Sequence, residues 1–196
     1  MTLLTFSKIA WVLGVVLWYV IRIPFERRAK RARVADARHR TPLEWVLLSI
    51  STAGLGLIPA VFVLTGAPRA LTYGSSALQV AAGLIVFAIA LWLFWRTHRD
   101  LGRNWSVTLE IKDTHTLITH GVYAHVRHPM YSAFFLWGVA QALLLPNLMA
   151  GAAGLVGFGT LFVFRVGREE AMMRETFGAE YEQYCAHTKR VIPGLL

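Results

Sequence analysis

Between Gly121 and Tyr131 the chain reads GVYAHVRHPMY, and further along Arg165, Glu169 and Glu170 stand together at the inner end of the last apolar run. These residue types suit ionic recognition and proton handling. A guanidinium grips a carboxylate through a forked pair of hydrogen bonds; a carboxylate holds an ammonium group or takes a proton. Almost every polar group able to do such work lies in these two patches, and the rest of the sequence is mostly hydrocarbon. The pattern reads as an enzyme held in a bilayer.

Composition says what must position the patches. Of 196 residues, 56% are hydrophobic and 16% charged, and the mean hydropathy is +0.49; a soluble domain carries about 25% charged residues. The length is that of one domain spanning 1–196. The net charge of +9 comes from Lys and Arg that flank apolar runs, so the partners it implies are membrane lipid headgroups and not nucleic acid. Cys185 is the only cysteine, which excludes an internal disulfide and a multi-cysteine metal site, and no metal is expected.

A bilayer crossing needs about 20 apolar residues. Stretches 3–23, 43–64 and 77–97 meet that length, with Lys8 near the outer end of the first and Glu44 at the start of the second. The last apolar stretch is broken by Pro146 and Asn147, so it reads as a helical hairpin, 132–146 and 148–166. The expected fold is an all-α integral membrane protein with five transmembrane helices. The parts outside the bilayer are 24–42, 98–131 and 167–196, a small cofactor-binding region with C-terminal helices. The segment from Arg22 to Arg40 is rich in Lys and Arg, and of all the basic residues only Lys8 and Arg69 fall on the opposite side. The positive-inside rule then sets the N-terminus outside, the C-terminus in the cytoplasm, and both chemical patches on the cytoplasmic face of the inner membrane.

Outside the spans, Arg103 to Ile118 mixes β-branched and polar residues and reads as an irregular or strand-like segment. In REEAMMRETFG, Met172, Met173 and Phe177 recur at helical spacing up to the stop signal Gly178, and a second short helix is expected from Glu180 to Thr188. No Gly-rich fingerprint follows a strand. GLVGFG, from Gly154 to Gly159, lies inside an apolar helix, where small residues permit close packing. Trp11, Trp18, Trp45 and Trp92 read as interfacial belts.

The run DLGRNWSVTLEIKDTHTLITHGVYAHVRHPMY, the hairpin after it, R-x-x-x-E-E at Arg165 to Glu170, FGAEYEQY and the terminal R-x-x-P at Arg190 to Pro193 resemble the isoprenylcysteine carboxyl methyltransferase family of integral membrane methyltransferases. The likeness covers residues 77–196 and reads as a compact prokaryotic member. It implies S-adenosyl-L-methionine as cofactor, converted to S-adenosyl-L-homocysteine and bound between the RHP segment and the tail. Carried over position by position, the resemblance implies cofactor contacts at His115, Thr116, Leu117, Ile118, Gly121, Tyr123, Arg127, His128, Pro129, Met130, Tyr131 and Glu169. It implies a substrate-carboxylate contact at Arg165, and a catalytic set of Arg165, Glu169 and Glu170. A glutamine contact of relatives falls where this chain has Thr108 or its neighbours and is not carried over.

The residue types fit such a cofactor. Glu169 or Glu170 suits its ammonium, His128 its carboxylate, and Leu117, Ile118 and Tyr123 its adenine. A carboxylic acid, with a pKa near 4, is already a nucleophile at neutral pH and needs only positioning. An amine with a pKa near 10 must first lose a proton, and Arg165 repels it. A lipid-like carboxylate is therefore the favoured acceptor. An aminophospholipid or another small molecule, with Glu170 as base, is the second reading; a non-enzymatic scaffold or transporter is the third. Each residue also has a plainer role: Arg165 can snorkel to the interface, and Pro129 fits the first turn of a helix whatever His128 does.

Overall fold

In the computed structural model, which describes residues 1–29, 34–36, 41–105, 111–112 and 116–195, helices dominate. They are α1, Leu3–Ala29; α2, Pro42–Thr65; α3, Ala77–Leu101; α4, Pro129–Leu144; α5, Leu148–Phe177; and α6, Ala179–His187. Helices α1, α2, α3 and α5 are long and apolar enough to cross a membrane, and α4 is a shorter apolar helix. The chain is a multi-pass integral membrane protein. Among the described residues the exception to the helical pattern is a two-stranded antiparallel ladder, β1 (Val34–Asp36) with β2 (Ile111–Lys112). It ties residues 34–36, after α1, to residues 111–112, before the RHP patch.

Several helices run beyond their apolar cores. α1 passes Ile23 and Pro24 to end at Ala29, with Arg22 Nε donating to Glu26 Oε2 at 3.0 Å one turn on, a spacing that supports this half-buried turn. α4 begins at Pro129, three residues before the apolar stretch, because a proline at the first helical position loses no hydrogen bond. α5 continues through the acidic pair and the methionines to Phe177. No proline lies between Val166 and Phe177, and the one glycine there, Gly167, is tolerated inside the helix, so one rod carries Arg165 and both glutamates.

α3 packs along α4, α4 along α5, α5 along α2, and α1 against α3. The hairpin tip is held by Asn147, whose Oδ1 accepts from Ala150 N at 3.0 Å while its Nδ2 donates to Pro68 O at 2.8 Å. In the middle of α2, Ala53–Leu57 widens into a π turn, and buried Gln141 of α4 donates from Nε2 to Gly54 O at 3.1 Å and Ala150 O at 2.7 Å. Such turns shift the following residues around the helix axis and recur at functional sites. The glycines let two backbones touch: a Cβ on Gly157 would stand 2.8 Å from Ile50 O and 3.3 Å from Gly54 Cα. Of the tryptophans read as belts, Trp45 and Trp92 are exposed, but Trp11 is buried in the core. Trp18 packs at 5.6 Å from Trp137. These two lie on the face of α1 that meets the bundle, which a belt reading from span position alone does not resolve.

Candidate active site

The RHP segment is placed by three local devices. Gly121 opens a short 3-10 turn, Gly121–Ala124, at φ 62. A Cβ there would overlap the Asp100 carboxylate at the end of α3, which accepts from Val122 N at 3.0 Å. Only glycine meets both demands cheaply. The strand-like residues Arg127 and His128 then pair with the tail, Arg127 N to Lys189 O and His128 N to Arg190 O, each at 2.8 Å. Finally Ser132 Oγ donates to Val191 O at 2.6 Å. The terminal R-x-x-P stretch is thereby strapped across the start of α4.

His128 is the N-cap residue of α4, yet its side chain makes no capping bond. Its ring stands between the two acids, Nδ1 at 3.7 Å from Glu169 Oε1 and Nε2 at 3.3 Å from Glu170 Oε1. Burial opposes the charged form, but the hydrogen bonds and charges of Glu169 and Glu170 outweigh it and raise the His128 pKa above its ordinary 6.5. The sign of the linkage follows. His128 contributes stability that is fully present below pH 6.5 and is lost as pH rises through its elevated folded value. The thermal midpoint in detergent is expected to fall over that alkaline arm, and His128→Gln is expected to flatten it.

The adjacent glutamates have different surroundings. Glu170, 1% exposed, takes Arg190 Nη2 at 2.8 Å, Arg127 Nη2 at 3.0 Å and His128. It is an ionic hub for the strap and does not line the cavity described below. Glu169 does line it; its Oε2 accepts from Tyr131 Oη at 2.6 Å and lies 3.8 Å from Arg165 Nε. Arg165, at the other side, reaches Glu44 of α2 at 3.4 Å.

These groups face a cavity of about 320 Å³ enclosed by α1, α2, α3, α4, α5, the RHP segment and α6. One end is polar and aromatic: Thr116, Leu117, Ile118, Tyr123, Tyr181, Tyr184 and Glu169. The other is mostly apolar: Val15, Trp18, Leu48, Leu55, Phe94, Phe134, Trp137, Phe158 and Leu161. Burial pushes the Tyr123, Tyr181 and Tyr184 hydroxyls upward from their ordinary range, so they remain donors at neutral pH. Tyr184 donates to Tyr123 O at 2.6 Å, while the buried Tyr181 hydroxyl has no partner among the described residues.

Of the residues expected at the site, Thr116, Leu117, Ile118, Tyr123, Arg127, His128, Met130, Tyr131, Arg165 and Glu169 come together on this wall. His115 and the neighbourhood of Thr108 lie outside the described residues. Gly121 and Pro129 are near but do not line the cavity; they set backbone direction. Arg127 borders it with its donors engaged, Nε and Nη2 on Glu170 and Nη1 on the Thr188 and Cys185 carbonyls, so its work is to fasten the tail. Likewise both ring nitrogens of His128 face glutamates. The sequence reading passed over Glu44, His98, Asn104, Trp105, Tyr181 and Tyr184. An ionisable residue inside a span is itself a signal, and Glu44 and Arg165 end their spans on the same side, which would have paired them.

The isoprenylcysteine carboxyl methyltransferase (ICMT) family matches residues 81–175. A rice (Oryza sativa subsp. indica) "Probable protein-S-isoprenylcysteine O-methyltransferase" is 37% identical over 94 residues, 47% of this chain and 49% of the rice protein. The Homo sapiens protein-S-isoprenylcysteine O-methyltransferase is 39% identical over 92 residues, 47% of this chain and 31% of the human protein. Thus the chain spans about half the length of the first of these relatives and less of the second. The solved structure of a eukaryotic intramembrane Ras methyltransferase, ICMT, superposes with a TM-score of 0.53 at 26% identity, over 82% of this chain and 55% of that one. The matched residues hold most of α3, the RHP segment, α4 and the Arg165–Glu169–Glu170 rod, elements that build the polar end of the cavity, and over them, close to half of its length, the chain is similar to the isoprenylcysteine carboxyl methyltransferase family.

Proposed function

We propose that the protein is an S-adenosylmethionine-dependent carboxyl O-methyltransferase acting on an amphipathic, isoprenylcysteine-like acid at the cytoplasmic leaflet of the inner membrane, its N-terminus outside. The supporting observation is the cavity itself: Glu169 and Arg165 stand 3.8 Å apart between an aromatic, hydroxyl-bearing end and an apolar end. One end fits a nucleoside with an amino acid head, the other a lipid tail. The names of the relatives favour the same chemistry.

The donor set fits the cofactor. Glu169 would be the carboxylate for its ammonium, the Tyr181 hydroxyl, without a partner among the described residues, would be a donor for its carboxylate, and Leu117, Ile118 and Tyr123 would form the slot for its adenine. When bound, it supplies an electrophilic methyl group on a sulfonium. Arg165 would hold the acceptor carboxylate beside Glu169, and because that acid is already ionised at neutral pH no proton would have to be removed first. The apolar wall excludes water. By keeping water from a carboxylate and a sulfonium, that low-dielectric wall would favour chemistry in which the two opposite charges are lost.

Geometry also weighs against an amine acceptor. Glu170, the base such chemistry would use, is locked by Arg127, Arg190 and His128, and Arg165 would repel an ammonium. The test is to incubate the purified protein with methyl-labelled S-adenosylmethionine and S-farnesylated N-acetylcysteine, then treat with alkali. Labelled methanol is the expected product; label retained as a stable N-methyl group on added aminophospholipid would decide for the other reading.

A further inference from the structure

Arg22 of α1 lines the cavity and keeps 22% of its side-chain surface open, so an occupant can reach it. Its guanidinium carbon stands 4.9 Å from the Trp18 ring centroid and 5.7 Å from that of Trp105. Aromatic faces hold a guanidinium in orientation and leave its N–H donors along its own edge, where a carboxylate meets them as a fork. Nε gives one hydrogen bond, to Glu26 at 3.0 Å, and among the described residues neither Nη has a partner. The other guanidiniums of the cavity are committed. Arg127 is engaged by Glu170 and two tail carbonyls. Arg165 stands between two acids, Glu44 at 3.4 Å and Glu169 at 3.8 Å, so an arriving carboxylate would be the third around one cation. Trp18, one turn before Arg22, belongs to the apolar wall, where it meets Phe94, Phe134 and Trp137. Arg22 is thus at the rim of the apolar end, where a molecule whose tail lies along that wall carries its polar head.

We propose that Arg22 is a second cation for the acceptor's carboxylate, a specificity-determining residue that favours an acid over an uncharged lipid of the same shape. A carboxylate offers about four lone-pair positions on its two oxygens, enough for donors from Arg22 as well as Arg165. The product ester has lost the charge, so Arg22 acts on capture of the acid and lets the ester go. The inference rests on the reading of the cavity as a carboxyl methyltransferase site.

S-farnesylated N-acetylcysteine and its methyl ester differ by that one charge. In detergent without phospholipid, Arg22→Gln should raise the KM of the acid about tenfold or more, the worth of one hydrogen bond to a charged group, with kcat nearly unchanged. Inhibition by the ester and affinity for S-adenosylhomocysteine should stay as they were, and Arg22→Lys, which retains the charge without the fork, should recover part of the loss. Glu26→Gln, at a half-buried position outside the cavity lining, frees Nε and should lower the KM about two- to fivefold. An unchanged KM in that variant overturns the proposal even if neither Arg22 variant folds. So does an Arg22→Gln variant that weakens acid and ester alike, the result of a packing role, or one that weakens the nucleoside, which would assign the guanidinium to the cofactor. A KM difference that appears only after phosphatidylglycerol is added would give Arg22 to a lipid phosphate and equally overturn it. Methylation of no acid at all removes the underlying reading; an acid that is methylated with a KM indifferent to Arg22 removes this inference alone.

Discussion

Arg165→Leu is expected to lower kcat/KM for an acid acceptor by roughly 10²- to 10⁴-fold, since two hydrogen bonds to a charged group are worth about 1.5–3 kcal/mol each and every 1.36 kcal/mol is tenfold. Affinity for S-adenosylhomocysteine should change little, because the nucleoside end is built from other residues. The variant will also be less stable: Arg165 pairs with Glu44 at 3.4 Å, and Glu44 is fully buried. A buried carboxylate deprived of a cation is costly. The double variant Arg165→Leu/Glu44→Gln separates the effects, recovering thermal stability without recovering turnover. Restored turnover in the double variant would make Arg165 a structural counter-ion and nothing more.

Glu170→Ala should cost the fold first and activity as a consequence. The carboxylate holds Arg190, Arg127 and His128 together, and its removal leaves the buried Arg127 guanidinium facing a void; breaking one side of a buried ion pair costs about 3–5 kcal/mol. The expected signature is a lower thermal midpoint together with faster proteolysis after Tyr184, where the tail is strapped to the RHP segment. Glu169→Ala should behave oppositely, keeping the fold and losing the cofactor. A Glu170 variant of unchanged stability that turns over nothing would restore it as a proton acceptor.

That contrast shows what the sequence could and could not convey. The apolar runs, the Pro146–Asn147 break and the placing of RHP beside R-x-x-x-E-E were legible because each depends on local composition or on short spacing. The division of labour between Glu169 and Glu170 was not. On a helix, neighbours point about 100° apart, and which of them meets the cavity depends on how α5 is rotated against α4, a tertiary fact. The fastening contacts of Arg127 were hidden for a related reason: a basic residue beside a ligand loop looks the same in sequence whether or not its donors also meet the carbonyls of Cys185 and Thr188. The partnership of Glu44 with Arg165, separated by most of the chain, needed the topology to be applied residue by residue. His98 carried only the general signal of an ionisable residue near the end of a span, since it is the packing of Phe25 and Trp105 over its ring that shows it as buried.

Among the described residues the one carboxylate that faces the cavity is Glu169, the proposed partner of the cofactor's ammonium group. Isothermal titration of S-adenosylhomocysteine into the detergent-solubilised protein, wild type and Glu169→Gln side by side, measures this directly. Saturable binding at one site per chain in the wild type, weakened at least tenfold in the variant, is the predicted result. No binding to the wild type, or equal affinity in the two proteins, would contradict it.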